Sequence, residues 1–423
     1  MNTHQVVFLL LDLALIVMLA RLLGAVAKRV GQPPVIGEIL AGILLGPTLF
    51  GDAFSAALFP TDIRPFLTAL ANVGIAVFMF VVGLELNGRL LRGRGPIAVT
   101  VSVSSILLPF SLGIGLAFYL LRTHPAENRL GFLLFIGAAM SVTAFPVLAR
   151  ILTDRGITHT VLGGLALTCA AVDDVLAWSL LAVVVLMSGN GGSEQWAIML
   201  TPFYLIVMFW GVRPLLRRAL TADVQLGSGH LTTVLAGALI SAAVTEWLGL
   251  HFIFGAFLFG VVMPRAGAEA LRKAILERVA EFNSEVLLPV FFVVAGLKVQ
   301  LSGIGLSGLG ELGLILLVAI GGKFGGAYAG ARLHHLPVRN SAALAMLMNA
   351  RGLTELIILS VGLQLGVLDQ SLYSIMVAMA VITTAMAGPL LRLIYPPSLA
   401  DRDQAVEAHL LRPPALVPAE AAS

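Results

Sequence analysis

The stretch TCAAVDDVLAW, residues 168–178, sets two adjacent carboxylates, Asp173 and Asp174, inside a long apolar run. That run extends from about Thr160 to Met187, and these two are its only charges. A helix of this length crosses a hydrocarbon core of ~30 Å. A charged Asp at its centre costs about 2.5–3.5 kcal/mol, and two side by side also repel. Such a pair reads as a site that is either protonated or occupied by a small cation; two protonated acids that hydrogen-bond neighbouring helices are the alternative.

The surroundings of the pair are membrane-like throughout. The 423 residues are 58% hydrophobic and 12% charged, about half the charge fraction of soluble domains. Apolar runs of ~20 residues recur from end to end, which reads as an all-α polytopic membrane protein rather than a β-barrel. The formal charge of +3, with its Arg residues in short clusters between apolar runs, gives no reason to expect nucleic-acid binding. A single cysteine, Cys169, excludes an internal disulfide and reads as a small packing residue. The N-terminus has neither a basic leader nor a small-residue cleavage site, so it reads as a retained first span. The Pro/Ala-rich end after Tyr395 reads as a short disordered tail.

Apolar segments fall at about 5–27, 34–50, 64–86, 96–121, 130–152, 160–188, 195–216, 229–248, 250–264, 282–300, 308–333, 340–365 and 370–394, about thirteen spans. Basic residues concentrate in the loops after odd-numbered spans: Lys28 and Arg29, Arg89 to Arg94, Arg155, Arg217 and Arg218, Arg265 to Arg278, and Arg339. The positive-inside rule then puts the N-terminus outside and the C-terminus in the cytoplasm.

Two stretches recur. VFMFVVGLEL (77–86) in span 3 resembles VFFVVAGLKV (290–299) in span 10. IGEILAGILLGP (36–47) in span 2 resembles IFGAFLFGVVMP (253–264) in span 9. Both matches are seven spans apart, and an odd offset means inverted orientation, a mark of secondary transporters. In such folds the site lies where broken helices occupy corresponding positions. Span 5 carries GAAMSVTAFPVLARIL (137–152), with Ser141, Thr143 and Pro146 at mid-depth. Seven spans on, span 12 carries MLMNARGLTELIIL (346–359), with Asn349, Arg351, Thr354 and Glu355. A plain proline kink and a structural Arg351–Glu355 pair, spaced i,i+4, are the alternatives. In span 11 Lys323 stands among Gly321, Gly322, Gly325 and Gly326. Glycines let helices approach closely, and a buried Lys is held charged by a nearby carboxylate or loses its proton, so Lys323 is the natural partner of one Asp, with snorkelling to the interface as the alternative.

A carboxylate that releases its proton to ligate a hard cation makes the two compete for one site. If only loaded states move, exchange follows. No Walker-type ATP site is visible, which argues against a primary pump, and nothing suggests an enzyme or a resident cofactor.

PPVIGEILAGILLGP (33–47), AVDDVLAW (171–178), PVFFVVAGLKV (289–299), GGKFGGAYAGARL (321–333) and NARGLTELIIL (349–359) stand in one chain and in this order. Together they resemble the monovalent cation/proton antiporter superfamily, and within it the second antiporter family, near plant cation/H⁺ exchangers. The resemblance covers about residues 5–395. It implies a sodium/proton-antiporter-like fold of thirteen helices, with two discontinuous helices crossing at the ion site, in a homodimer. Residues 1–395 would form the antiporter domain, scaffold plus core, and 396–423 a cytoplasmic tail. By the same resemblance, Asp174 matches the ion- and proton-carrying acid, Asp173 its variable neighbour, and Lys323 the core lysine expected to pair with Asp173. Ser141 and Thr143 match polar groups of the first crossing helix. The implied function is secondary exchange of Na⁺, K⁺ or Li⁺ for protons across the cell membrane, electrogenic by its two acids and Lys. An electroneutral K⁺/H⁺ exchanger and a gated K⁺ efflux system are the alternatives. No appended regulatory domain is expected.

Overall fold

The computed structural model describes residues 3–85, 95–157, 160–188, 200–220, 228–248, 250–264, 268–302, 305–396 and 399. Among them every regular element is a helix. In order these are α1 (Thr3–Arg29), α2 (Pro34–Leu45), α3 (Pro47–Leu58), α4 (Arg64–Glu85), α5 (Gly95–Leu120), α6 (Arg129–Ser141), α7 (Phe145–Asp154) and α8 (Val161–Ser188). Then comes α9, which joins Thr201–Ile206 to Arg213–Leu220 through a π-helical turn at Val207–Val212. After it come α10 (Ser228–Trp247) and α11 (Phe252–Val262). A rod with two π-helical stretches, Glu269–Leu297, is α12. The last four are α13 (Leu306–Leu333), α14 (Val338–Met348), α15 (Leu353–Gln364) and α16 (Gln370–Ile394).

Seven described helices are long and apolar enough to cross a bilayer on their own. The breaks expected in spans 5 and 12 are present: α6 and α7 are separated by extended residues 142–144, and α14 and α15 by residues 349–352. Span 2 departs from its expected bounds. It stops at Leu45, and Pro47, which cannot continue the hydrogen-bond ladder, begins the separate helix α3. Span 10 starts earlier than expected. Arg272, Lys273 and Arg278, assigned to a loop by their charge, lie on the first turns of α12. There Lys273 pairs with Glu277 at 3.6 Å and Arg272 Nη2 donates to Leu84 O at 2.6 Å, so the charge is accommodated on a helix. The segments after Pro396, apart from Leu399, and the start of span 7 at 195–199 lie outside the described residues.

The inverted repeat is visible in the packing. α2 lies against α12 where a Cβ on Gly296 would meet Ile39 O at 2.7 Å. α4 lies against α11 where a Cβ on Gly83 would meet Phe257 O at 2.1 Å. Gly83 and Gly296 are matching positions of the two repeated stretches. Span 2 on span 10 is therefore the counterpart of span 9 on span 3, as a pseudo-two-fold exchange requires. Another tight seam joins α13 to α5. A Cβ on Gly326 would meet Ser104 O at 2.3 Å, and one on Gly322 would meet Pro109 Cα at 2.8 Å. The glycines around Lys323 thus bring its helix close enough to deliver an ammonium between neighbours.

Candidate functional site: two broken helices around an acid pair

Where a helix stops inside a membrane, its terminal amides and carbonyls need partners. The two breaks supply some of them for each other. Ala144 N donates to Ala350 O at 3.0 Å, and Thr143 Oγ1 lies 2.9 Å from Met348 O. Gly352 sits where a Cβ would meet Val147 Cγ2 at 2.6 Å, so the second break can pass close under α7.

The remaining carbonyls at the C-terminal end of α6 are met by cations. Arg351 Nη1 donates to Ala139 O at 2.8 Å and Nη2 to Met140 O at 2.6 Å. Lys323 Nζ donates to Ser141 O. This is the negative end of a half-helix, and two positive side chains complement it. Arg351 also meets Glu355 Oε2 at 3.0 Å, and Thr384 Oγ1 donates to Arg351 O at 2.7 Å. The i,i+4 pair therefore exists, and it braces the opened helix.

Asp173 is fully buried and well satisfied. Its Oδ2 lies 2.7 Å from Lys323 Nζ and 2.6 Å from Thr143 Oγ1, and Ser105 Oγ lies 3.1 Å from Oδ1. Each hydroxyl has one proton to give, so Thr143 divides its attention between the carboxylate and Met348 O. Asp174 is 2% exposed and differs. The backbone N–H of Phe145, the first residue of α7, bonds its carboxyl group. Its Oδ1 has no hydrogen-bond partner among the described residues. The positive end of the second half-helix thus faces Asp174, and one oxygen stays free for a ligand.

The other singled-out residues divide into two groups. Asn349 is fully buried at the end of α14, one residue from the crossing bond, with both side-chain polar atoms unpartnered among the described residues. Pro146 is the second residue of α7, and Thr354 is buried in the first turn of α15. Ser141 contributes through its carbonyl, because its hydroxyl bonds Gly137 O at 2.7 Å. Sequence reasoning overlooks Ser105 and Thr384. The first stands in a Ser-containing stretch of span 4, VSVSSILL (101–108), a faint signal.

Fold and site together define a class: a multi-pass helical membrane protein with two broken helices crossing beside a buried acid. The chain belongs to the family described as sodium/hydrogen exchanger, transmembrane, whose model matches residues 14–395. It is 40% identical over 408 residues to the Na⁺/H⁺ antiporter NhaS4 of Synechocystis sp., covering 94% of this chain and 99% of that protein. It is 37% identical over 411 residues to cation/H⁺ antiporter 20 of Arabidopsis thaliana, covering 92% of this chain and 49% of that one. The chain thus spans about half the length of the plant relative. In fold it is similar to the sodium proton antiporter MjNhaP1 of Methanocaldococcus jannaschii, with a TM-score of 0.68 over 94% of this chain and 99% of that one, at 16% identity.

Proposed function

We propose that the chain exchanges a small monovalent cation for protons by alternating access, with Asp174 carrying one or the other. The observation behind this is the free oxygen of Asp174, buried beside the crossing of two broken helices. A deprotonated carboxylate with a free oxygen can ligate Na⁺, K⁺ or Li⁺; a protonated one is neutral and can be moved without cargo. The empty anion is the costly state in an apolar barrier, so the loaded forms are the ones that cross. The names of the relatives, Na⁺/H⁺ and cation/H⁺ antiporters, support the same pair of substrates.

Asp173 is the tuning acid in this reading. While Lys323 holds it, the pair is neutral. If cation binding draws Asp173 away, Lys323 releases a proton of its own, and more than one proton moves per cation. That is the electrogenic form of the exchange. Arg351 and Glu355 stay in place as a brace. The clustering of basic residues after odd spans supports an N-terminus outside and a C-terminus in the cytoplasm of the cell membrane, and the resemblance to dimeric antiporters supports a homodimer.

Proteoliposomes with an imposed pH gradient, offered Na⁺, K⁺ or Li⁺ in turn, test this. Saturable exchange that stops when the gradient is collapsed is expected. Full exchange by Asp174→Asn would sink the assignment. Unchanged charge movement per cation in Asp173→Asn would sink the electrogenic form alone.

A further inference from the structure

A second cluster of charge lies far from the acid pair in sequence. A cavity of about 200 Å³ opens where the α2–α3 junction, the start of α4, the end of α12 and the start of α16 meet. Its polar lining is Ser55, Arg64, Thr68, Lys298, Gln300 and Gln370, and among the described residues no acidic side chain lines it. Arg64 donates from Nε to Phe59 O at 3.0 Å and from Nη2 to Ser55 Oγ at 3.3 Å, both neutral acceptors. Lys298 is half-buried and has no ion-pair partner among the described residues. Of the acids near this cavity in sequence, Asp369 is held by His124 at 2.5 Å and Asp62 accepts from Gln5 Nε2 at 3.2 Å.

The inverted repeat makes the imbalance clearer. Lys298 occupies the position in its stretch that Glu85 occupies in the other. At that opposite end Glu85 lies in the field of Arg272, whose guanidinium also serves Leu84 O. One end of the repeat therefore carries acid and base together. The other carries Arg64 and Lys298 with no acid lining the space between them among the described residues. Half-buried cations without ion-pair partners among the described residues, with the hydroxyl of Ser55 and the amides of Gln300 and Gln370 beside them, describe a receptor for an anion. The cavity exceeds a single halide, and its several donors suit the several oxygens of an oxyanion.

We infer that this cavity binds a phosphate-type oxyanion between Arg64 and Lys298, either free phosphate or the phosphodiester of a lipid headgroup. The bound anion supplies the missing counter-charge. It also ties α4 and α12 to α16, because Gln370, which already donates to Lys298 O, lines the same space.

The test is thermal unfolding of the purified full chain in a neutral detergent. Inorganic phosphate is titrated at constant ionic strength, and phosphatidylglycerol is compared with phosphatidylcholine in mixed micelles. Lys298→Gln is the principal variant, and Lys298→Arg is its charge-retaining control. Loss of one charge-assisted contact corresponds to about tenfold or more in affinity. The expected result is saturable stabilisation of the wild type, weakened by that factor in Lys298→Gln and kept in Lys298→Arg. A response to phosphate identifies a free anion as ligand; a response to phosphatidylglycerol alone identifies the lipid. The inference is overturned if the wild type responds to neither, or if Lys298→Gln responds as the wild type does.

Discussion

Two clusters in this molecule have the same composition, two acids and one base. In the first, Asp173, Asp174 and Lys323 meet beside the crossing helices. In the second, His124 in the α5–α6 loop stands between Glu311 of α13 and Asp369, the N-cap of α16. The second cluster is closed. His124 Nδ1 lies 2.5 Å from Asp369 and Nε2 lies 3.1 Å from Glu311, so the base serves both acids. The first is open. Lys323 spends itself on Asp173 and Ser141 O, and Asp174 keeps a free oxygen. A closed cluster has nothing left to bind and can only hold elements together. An open one inside a membrane stores an unmet demand for a proton or a cation.

The contrast breaks most visibly at the two outlying acids. Asp174→Asn should bring pH-driven cation exchange in proteoliposomes down to the level of protein-free vesicles. Asp369→Asn should leave exchange measurable under the same gradient, since His124 keeps Glu311. If the two variants lose transport equally, openness is not what separates the clusters.

Removing the base of the open cluster comes next. Lys323→Ala leaves Asp173 buried without a counter-charge, which costs about 3–5 kcal/mol when one partner of a buried pair is lost. Thermal unfolding in detergent should show that loss. The double variant Asp173→Asn with Lys323→Ala should recover most of it, because an amide needs no counter-ion. A double variant as unstable as Lys323→Ala alone would mean that the lysine acts through Ser141 O and helix contacts instead.

The open cluster is largely legible in the sequence, and the closed one is not. Inside an apolar run every charge stands out, so Asp173, Asp174 and Lys323 are visible at once, and Pro146 marks the break beside them. The Lys323–Asp173 distance of 2.7 Å follows from the lack of any cheaper arrangement for a buried lysine. Hydroxyls carry far less signal, because a Ser or Thr in a helix can bond its own carbonyls. Ser141 does so, and Ser105 reaches both Ser102 O at 3.0 Å and Asp173. Nothing local tells the two apart. His124 lies in a polar loop where a histidine needs no explanation, and its partners are 187 and 245 residues away. The helix α3 is hidden for a similar reason: the apolar run of span 2 continues past the Gly46–Pro47 stop.

Ser105→Ala sharpens the open side with a smaller effect. Asp173 would lose one donor and keep Thr143 and Lys323, so the expected cost is about 1.5 kcal/mol, the low end for a hydrogen bond to a charged group. If unfolding shows no loss, the Ser105 proton goes to Ser102 O.

The smallest effect is expected at the closed cluster, and its pH dependence has a definite sign. Two carboxylates can both be served only by an imidazole that carries both ring protons. The hydrogen bond to Asp369 is the main cause holding the His124 pKa above its ordinary value of 6.5, burial opposes it, and Glu311 adds to it. Asp369 is held below its ordinary 3.8; burial works against this, and the His124 hydrogen bond heads the causes that outweigh it. A base with a raised pKa contributes stability that is complete below 6.5 and fades as pH climbs through the raised value. An acid with a lowered pKa contributes stability that is complete above 3.8 and fades as pH falls through the lowered value. The tie is therefore full between about 3.8 and 6.5. His124→Gln should lower stability there by about 1 kcal/mol, discounted because the Asp369 side chain is 47% exposed. The gap between variant and wild type should narrow as pH rises above 6.5 toward the alkaline range, as the imidazole drops one proton and one of its two acids. A gap that stays constant into alkaline pH would show that His124 holds the loop by shape alone, and the closed cluster would then owe nothing to charge.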